Sequence, residues 1–141
     1  MTDRSAPDVS YEELIFQMPE SLKIALPLAR WNIERLWALD LPVESVEVSG
    51  LIWQFDLPLW QLDGRRFQLS PNEAIRDPVR FSAHIRRAMQ SDLEYPIHLV
   101  EHDGRWVILD GLHRLLKSVL LGNDSLMAMR LSSEDLASIS G

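Results

Sequence analysis

In Trp106-Val107-Ile108-Leu109-Asp110-Gly111-Leu112-His113-Arg114-Leu115-Leu116-Lys117 the hydrophobic period changes within a few residues. Arg105 to Leu109 is a short run rich in aromatic and branched side chains, which reads as a strand. From Gly111 to about Leu121, Leu112, Leu115, Leu116, Val119 and Leu120 recur at i, i+3, i+4, i+7 and i+8, which predicts a helix with one core-facing stripe. That stripe sends His113, Arg114 and Lys117 to the other side, within the first turns of the helix. Cations are disfavoured there by a few tenths of a kcal/mol each, roughly, because the macrodipole is positive at that end. A bound phosphate inverts the penalty: backbone N–H groups, Arg114 and Lys117 then reach the same oxygens. Gly111 permits close approach, and Asp110 is placed to cap the turn or to hold a divalent cation that arrives with phosphates. The same spacing also serves a purely structural role, with Asp110 capping and Arg114 pairing with it.

Working outward, Pro96 to Glu101 predicts a strand joined to the next at His102-Asp103-Gly104, and Gly122-Asn123 ends the helix before a strand from Leu126 to Leu131. Ser133-Glu134-Asp135 predicts the cap of a last short helix. Asp77-Pro78 predicts a helix running to about Gln90, with Arg80, His84 and Arg87 on one face opposite Phe81, Ile85 and Ala88. Ser70-Pro71-Asn72-Glu73 combines a serine cap, proline at the first helical position and glutamate at the third, a strong helix start. Strands are expected at Val43 to Val48 and Leu51 to Phe55, then a turn at Asp63-Gly64 and a strand from Arg66 to Leu69. Ser10-Tyr11-Glu12-Glu13 has capping-box spacing for a short helix that Pro19 stops, and Leu28 to Leu39 carries a looser helical stripe of Leu28, Ile33, Leu36, Trp37 and Leu39. The division is a tail over 1–9, a helical extension over 10–41 and a domain over 42–141 that forms one unit with it.

The chain has 141 residues, a size suited to one core, and its 46% hydrophobic and 25% charged residues are globular values. It has no cysteine, which excludes disulfides, thiolate metal sites and thiol nucleophiles. With a polar N-terminus and no apolar run of membrane-spanning length, a cytoplasmic chain is expected. The net charge of −7 opposes DNA. Residues 76–117 carry seven Lys/Arg against six Asp/Glu and all four histidines, leaving seven against fifteen elsewhere, so an anion site belongs in this window. Weaker candidates are His98 and His102 as metal ligands, Trp53 and Trp60 as stacking platforms or core, and Asp92 and Glu94 as loop or metal-binding carboxylates.

Strand, Asp-Gly-x-His-Arg, apolar helix, glycine and strand together resemble the ParB/sulfiredoxin superfamily, over roughly residues 42–131 and most strongly from Tyr95 to Gly122. The resemblance implies an α+β fold, a small mixed sheet with packed helices, here preceded by the helical extension. It implies a loop and helix N-terminus (Gly111, Leu112, His113, Arg114, Lys117) that cradle nucleotide phosphates, faced by Arg80 and His84. Leu112 stands where sulfiredoxin has its cysteine, so that repair chemistry is excluded. Partitioning ParB proteins follow this module with a helix-turn-helix, whereas only about ten residues follow Leu131, and a nuclease sits poorly with the charge. The free serine kinases of the superfamily use an acidic base from the N-terminal side, a role that falls by position on Glu73. The expectation is a nucleotide- or phosphate-binding domain taking ATP, ADP or CTP with Mg²⁺ held at Asp110, acting as a phosphotransferase or nucleotide hydrolase with Glu73 and Asp110 catalytic. The alternative is a non-catalytic interaction module whose N-terminal helices meet a second copy or another protein.

Overall fold

The computed structural model describes residues 10–140; the tail expected over 1–9 lies outside the described residues. Among the described residues, β1 (Val43–Glu47), β4 (Ile97–His102), β5 (Arg105–Asp110) and β6 (Ser125–Leu131) form one sheet in the order β1-β6-β4-β5. β1 runs antiparallel to β6 and β4 antiparallel to β5, while β4 and β6 are parallel, so the sheet is mixed. The parallel pair requires a crossover, which β5 and helix α6 (Leu112–Leu120) provide. β2 (Trp60–Leu62) and β3 (Arg65–Leu69) make a separate hairpin through Asp63 and Gly64, both at positive φ. The hairpin turn between β4 and β5 repeats the device at Asp103 and Gly104.

Alternation along the strands divides the core in two. Ile97, Leu99, Leu126 and Ala128 face α4 (Pro71–Arg76), α5 (Ser82–Gln90) and α6, whose Ala74, Ala88, Leu115 and Leu116 are fully buried against them. Val100, Val107 and Leu131 face the other way, onto Leu36 of α3 (Ile33–Trp37) and Ile139 of α7 (Ser133–Ile139). Leu36 and its neighbours Trp31, Ile33, Leu39 and Leu41 thus pack on this second face of the sheet. Asn32 donates its backbone N–H to Ile139 O at 3.0 Å, which ties the extension to the C-terminal helix.

The capping signals are realised. Ser10 caps α1 (Tyr11–Gln17), Ser70 and Glu73 form a reciprocal capping box on α4, and Ser132 with Asp135 does so on α7, one residue earlier than the expected Ser133 cap. Other expectations need correction. Leu28 to Leu39 is not one helix: α2 (Glu20–Ala25) forms before Pro27 and α3 starts only after the Asn32 cap, leaving Trp37 61% exposed. Asp77-Pro78 opens a turn, and α5 begins at Ser82, so Arg80 lies outside the helix. On α6, Leu120 is 38% exposed and Ser118 is buried instead, a slight rotation of the expected stripe.

Leu51 to Phe55 is not a strand. Two 3₁₀ turns, Val48–Gly50 and Ile52–Asp56, bury Leu51 and Phe55. The edge of β5 is paired by a side chain in place of another strand: the Gln54 amide accepts from Ile108 N at 2.8 Å and donates to Trp106 O at 3.1 Å. The apolar run alone does not distinguish these outcomes, because a compact turn and a buried strand both require it.

Candidate functional site

The joint between β5 and α6 is shaped by two backbone features. A register shift between His98 and Leu99 leaves Leu109 as an extra residue in β5, and this bulge brings Asp110 opposite His98. Gly111 then turns the chain at φ +114°, where a Cβ would run into the Ile97 side chain, 2.8 Å from Ile97 Cβ. Both the conformation and the space require glycine. Gly111 has no side chain to cap α6, so the N–H groups of Leu112, His113 and Arg114 enter the helix without a side-chain cap.

These residues line a cavity of about 550 Å³ together with Arg87 from α5 and Trp60 from β2. The structure thus brings together Asp110, Gly111, Leu112, His113 and Arg114. His84 stands behind them: its Nδ1 meets His113 Nε2 at 3.2 Å, and both imidazoles stack on the Trp60 indole at centroid distances of 4.0 and 4.9 Å. Trp60 is 9% exposed, with its ring occupied by the histidines, so it is core. Burial, and then the neighbouring charges of Arg87 and His84, push the His113 pKa down to about 3. His113 is accordingly neutral at neutral pH and contributes a hydrogen-bonding ring to the site.

Arg114 is committed to the fold. Its Nη1 donates to Tyr95 O at 3.0 Å and Pro96 O at 2.9 Å, and its Nη2 donates to Asp110 Oδ2 at 2.9 Å. The cation that looked misplaced at a helix N-terminus thus has a carboxylate and two carbonyls to neutralise it. Trp37 Nε1 donates to the same Asp110 oxygen at 3.0 Å across 73 positions of sequence. Asp110 pairs and orients but does not cap. His98, buried in β4, lies 3.8 Å from that oxygen, and its pKa is lowered by burial, with Asp110 opposing and Arg114 adding to the shift.

Three expected site residues lie elsewhere. Lys117 Nζ donates to Ser91 O at 2.7 Å, capping the C-terminal end of α5, where a cation is favourable. Glu73 Oε1 accepts from Ser70 N at 3.0 Å in the capping box and is not on the cavity wall. Arg80 lies over the Phe81 ring at 4.9 Å in the turn before α5 and is also absent from the wall. His98 and His102 do not converge on one site: His102 Nε2 meets Ile24 O at 3.1 Å, while His98 faces Asp110. Trp53 lies beneath the Arg105 guanidinium.

Among the described residues no three His, Cys, Asp or Glu side chains converge. One Asp110 oxygen already accepts from Arg114 and Trp37. Trp37 and Gln54 are the structural partners that sequence reasoning missed. No local signal marks either, because each acts on residues more than fifty positions away. No helix among the described residues is long and apolar enough to cross a membrane. Comparison with family models, curated proteins and solved structures found no match to this chain.

Proposed function

We propose that the chain binds a phosphate-bearing ligand, of the nucleotide class, in the cavity at the N-terminus of α6. The observation that carries this reading is the uncapped first turn of α6 opening, through a glycine at φ +114° packed against Ile97, onto a wall that includes Arg87. The likeness of Asp110-Gly111-Leu112-His113-Arg114 to the phosphate loop of the ParB/sulfiredoxin superfamily supports it. Within this reading the backbone N–H groups and Arg87 meet the anion, Arg114 holds the loop in shape, and His113 donates or accepts as a neutral ring.

The test is a thermal-shift and amide-resonance titration with ATP, ADP, CTP and inorganic phosphate, with and without Mg²⁺. A ligand at 100 times its Kd stabilises by about 2.7 kcal/mol, and the Leu112 and His113 amides move on binding. Arg87→Ala weakens the effect without altering the fold. Absence of any shift at those amides removes the reading.

A second reading, a non-catalytic interaction module, draws on two observations. The carboxylates expected to catalyse, Glu73 and Asp110, are both held in structural hydrogen bonds. Helix α1 has no buried residue, and its Phe16 is 86% exposed. Turnover of ATP or CTP under saturating Mg²⁺ separates the two: formation of ADP or CDP, with the phosphoryl group passed to water or to an acceptor hydroxyl, favours catalysis, and binding without nucleoside diphosphate formation favours the module.

A further inference from the structure

On the sheet face away from α6 lies a second cavity of about 590 Å³, whose wall includes Trp37, Asp92, Tyr95, His98, Asp110 and Met129. Several pieces of chain build it: Trp37 comes from α3, Asp92 and Tyr95 from the segment before β4, His98, Asp110 and Met129 from the sheet, and Arg114 from α6. Its aromatic rings are open, Trp37 being 61% and Tyr95 67% exposed. The indole is nonetheless anchored through Nε1 to Asp110. An exposed ring that is already held offers a flat apolar face at little further ordering cost.

The polar groups of this cavity mostly accept. Asp92 and Asp110 contribute carboxylates, while the Nη atoms of Arg114 are turned to Asp110 and to the carbonyls of Tyr95 and Pro96. His98 is 6% exposed, and its buried Nδ1 has no hydrogen-bond partner; Asp110 at 3.8 Å lies beyond bonding reach. Buried polar atoms are normally paired, so the orphaned nitrogen of a cavity-wall residue marks a place for a partner that the His98 ring turns to meet. A ligand N–H directed at the His98 and Asp110 pair supplies it.

We propose that this cavity binds a planar amidinium-type ligand, a flat ring carrying an N–C–N donor pair, stacked on Trp37 with its N–H groups directed to Asp110 and His98. The acidic, acceptor-rich wall selects charge, and the open indole selects flatness. The two cavities share Asp110 and Arg114, but this proposal stands apart from the phosphate reading, because it uses the sheet face that carries His98, Met129 and Trp37 and a ligand of opposite charge.

The full chain is titrated with benzamidine and, separately, with benzoate, its anionic counterpart, and followed by ¹H–¹⁵N spectra. Benzamidine is expected to shift the Trp37 indole N–H resonance and to saturate with a Kd of about 1 mM or tighter, while benzoate at equal concentration leaves that resonance in place. Trp37→Leu weakens benzamidine about tenfold or more, a loss of one stacking contact, whereas Arg87→Ala in the other cavity leaves its affinity unchanged. Should Trp37→Leu disturb the spectrum of the whole chain, Met129→Trp, which fills the cavity from β6, is read in its place and is expected to abolish binding. A silent Trp37 resonance, an equal response to benzoate, or full affinity in a folded Trp37→Leu or Met129→Trp chain overturns the proposal. Inorganic phosphate is read separately at the Leu112 and His113 amides, so either site can fail alone.

Discussion

Gly111 and Arg114 do different work at one turn of chain. Gly111 is demanded by geometry, because its φ of +114° and the proximity of Ile97 leave no room for a Cβ. Gly111→Ala is expected to destabilise by on the order of 2 kcal/mol or more, read as a lowered urea midpoint at unchanged slope. Arg114 is demanded by hydrogen bonding. Its planar fork meets one carboxylate and two carbonyls at once, and the side chain is only 15% exposed. Lysine keeps the charge and loses the fork, so Arg114→Lys should cost about 2–3 kcal/mol in chemical denaturation. A value near zero would mean that the three contacts are made equally well by a point charge.

At the scale of elements, the edge of β5 is closed by side chains, chiefly the Gln54 amide, with the Trp53 indole N–H also donating to Trp106 O. Gln54 is 2% exposed and satisfies both Ile108 N–H and Trp106 C=O, work that a neighbouring strand does elsewhere in a sheet. Gln54→Leu conserves much of the volume and removes that pairing. The expected result is a loss of about 1–3 kcal/mol for the orphaned Ile108 N–H, since Trp106 O keeps the Trp53 indole N–H at 3.3 Å, with hydrogen exchange at Ile108 accelerating ahead of that at Leu99 in the sheet interior. Uniform acceleration across β4 and β5 would instead indicate global loosening. The turn around Gln54 also explains why an apolar run that reads as a strand is none: its residues fill core volume while one polar side chain reaches out of the turn to the sheet.

Across the whole molecule, the half-buried His113 and the buried His98 make stability depend on pH. His113 is held near pKa 3 in the folded chain against about 6.5 when unfolded, so between these values the unfolded state binds the extra proton. Stability from this group is complete above about pH 6.5 and is lost progressively as pH falls toward 3. The lowered pKa of His98 acts in the same direction. The slope approaches about 1.4 kcal/mol per pH unit for one such histidine. His113→Phe keeps a ring against Trp60 and removes the titration, so its denaturation free energy should fall less steeply between pH 6.5 and 4.5 than that of the parent chain. Parallel slopes in the two chains would show that His113 protonates freely in the fold. On the other face of the sheet, Leu36→Ala should cost about 2–5 kcal/mol, because Leu36 is fully buried against Val100, Val107 and Leu131.

What the amino-acid sequence determined by itself was local: helix caps at Ser10 and Ser70, the turns at Asp63-Gly64 and Asp103-Gly104, the strand-to-helix joint at Asp110-Gly111 and the burial of Leu115 and Leu116. Each rests on residues within about four positions of one another, where backbone geometry and side-chain spacing act directly. The destinations of the charged and polar side chains were decided only when the elements packed. Arg114 and Lys117 are short-range candidates for an anion, yet the carbonyls that claim them come from Tyr95, Pro96 and Ser91, on segments that the sheet and α5 bring alongside α6. Trp37 reads as part of an apolar stripe, yet it finds its hydrogen bond on Asp110, 73 positions away. A hydrogen bond is satisfied by whichever partner the tertiary structure places within about 3 Å, and sequence spacing carries no record of that distance.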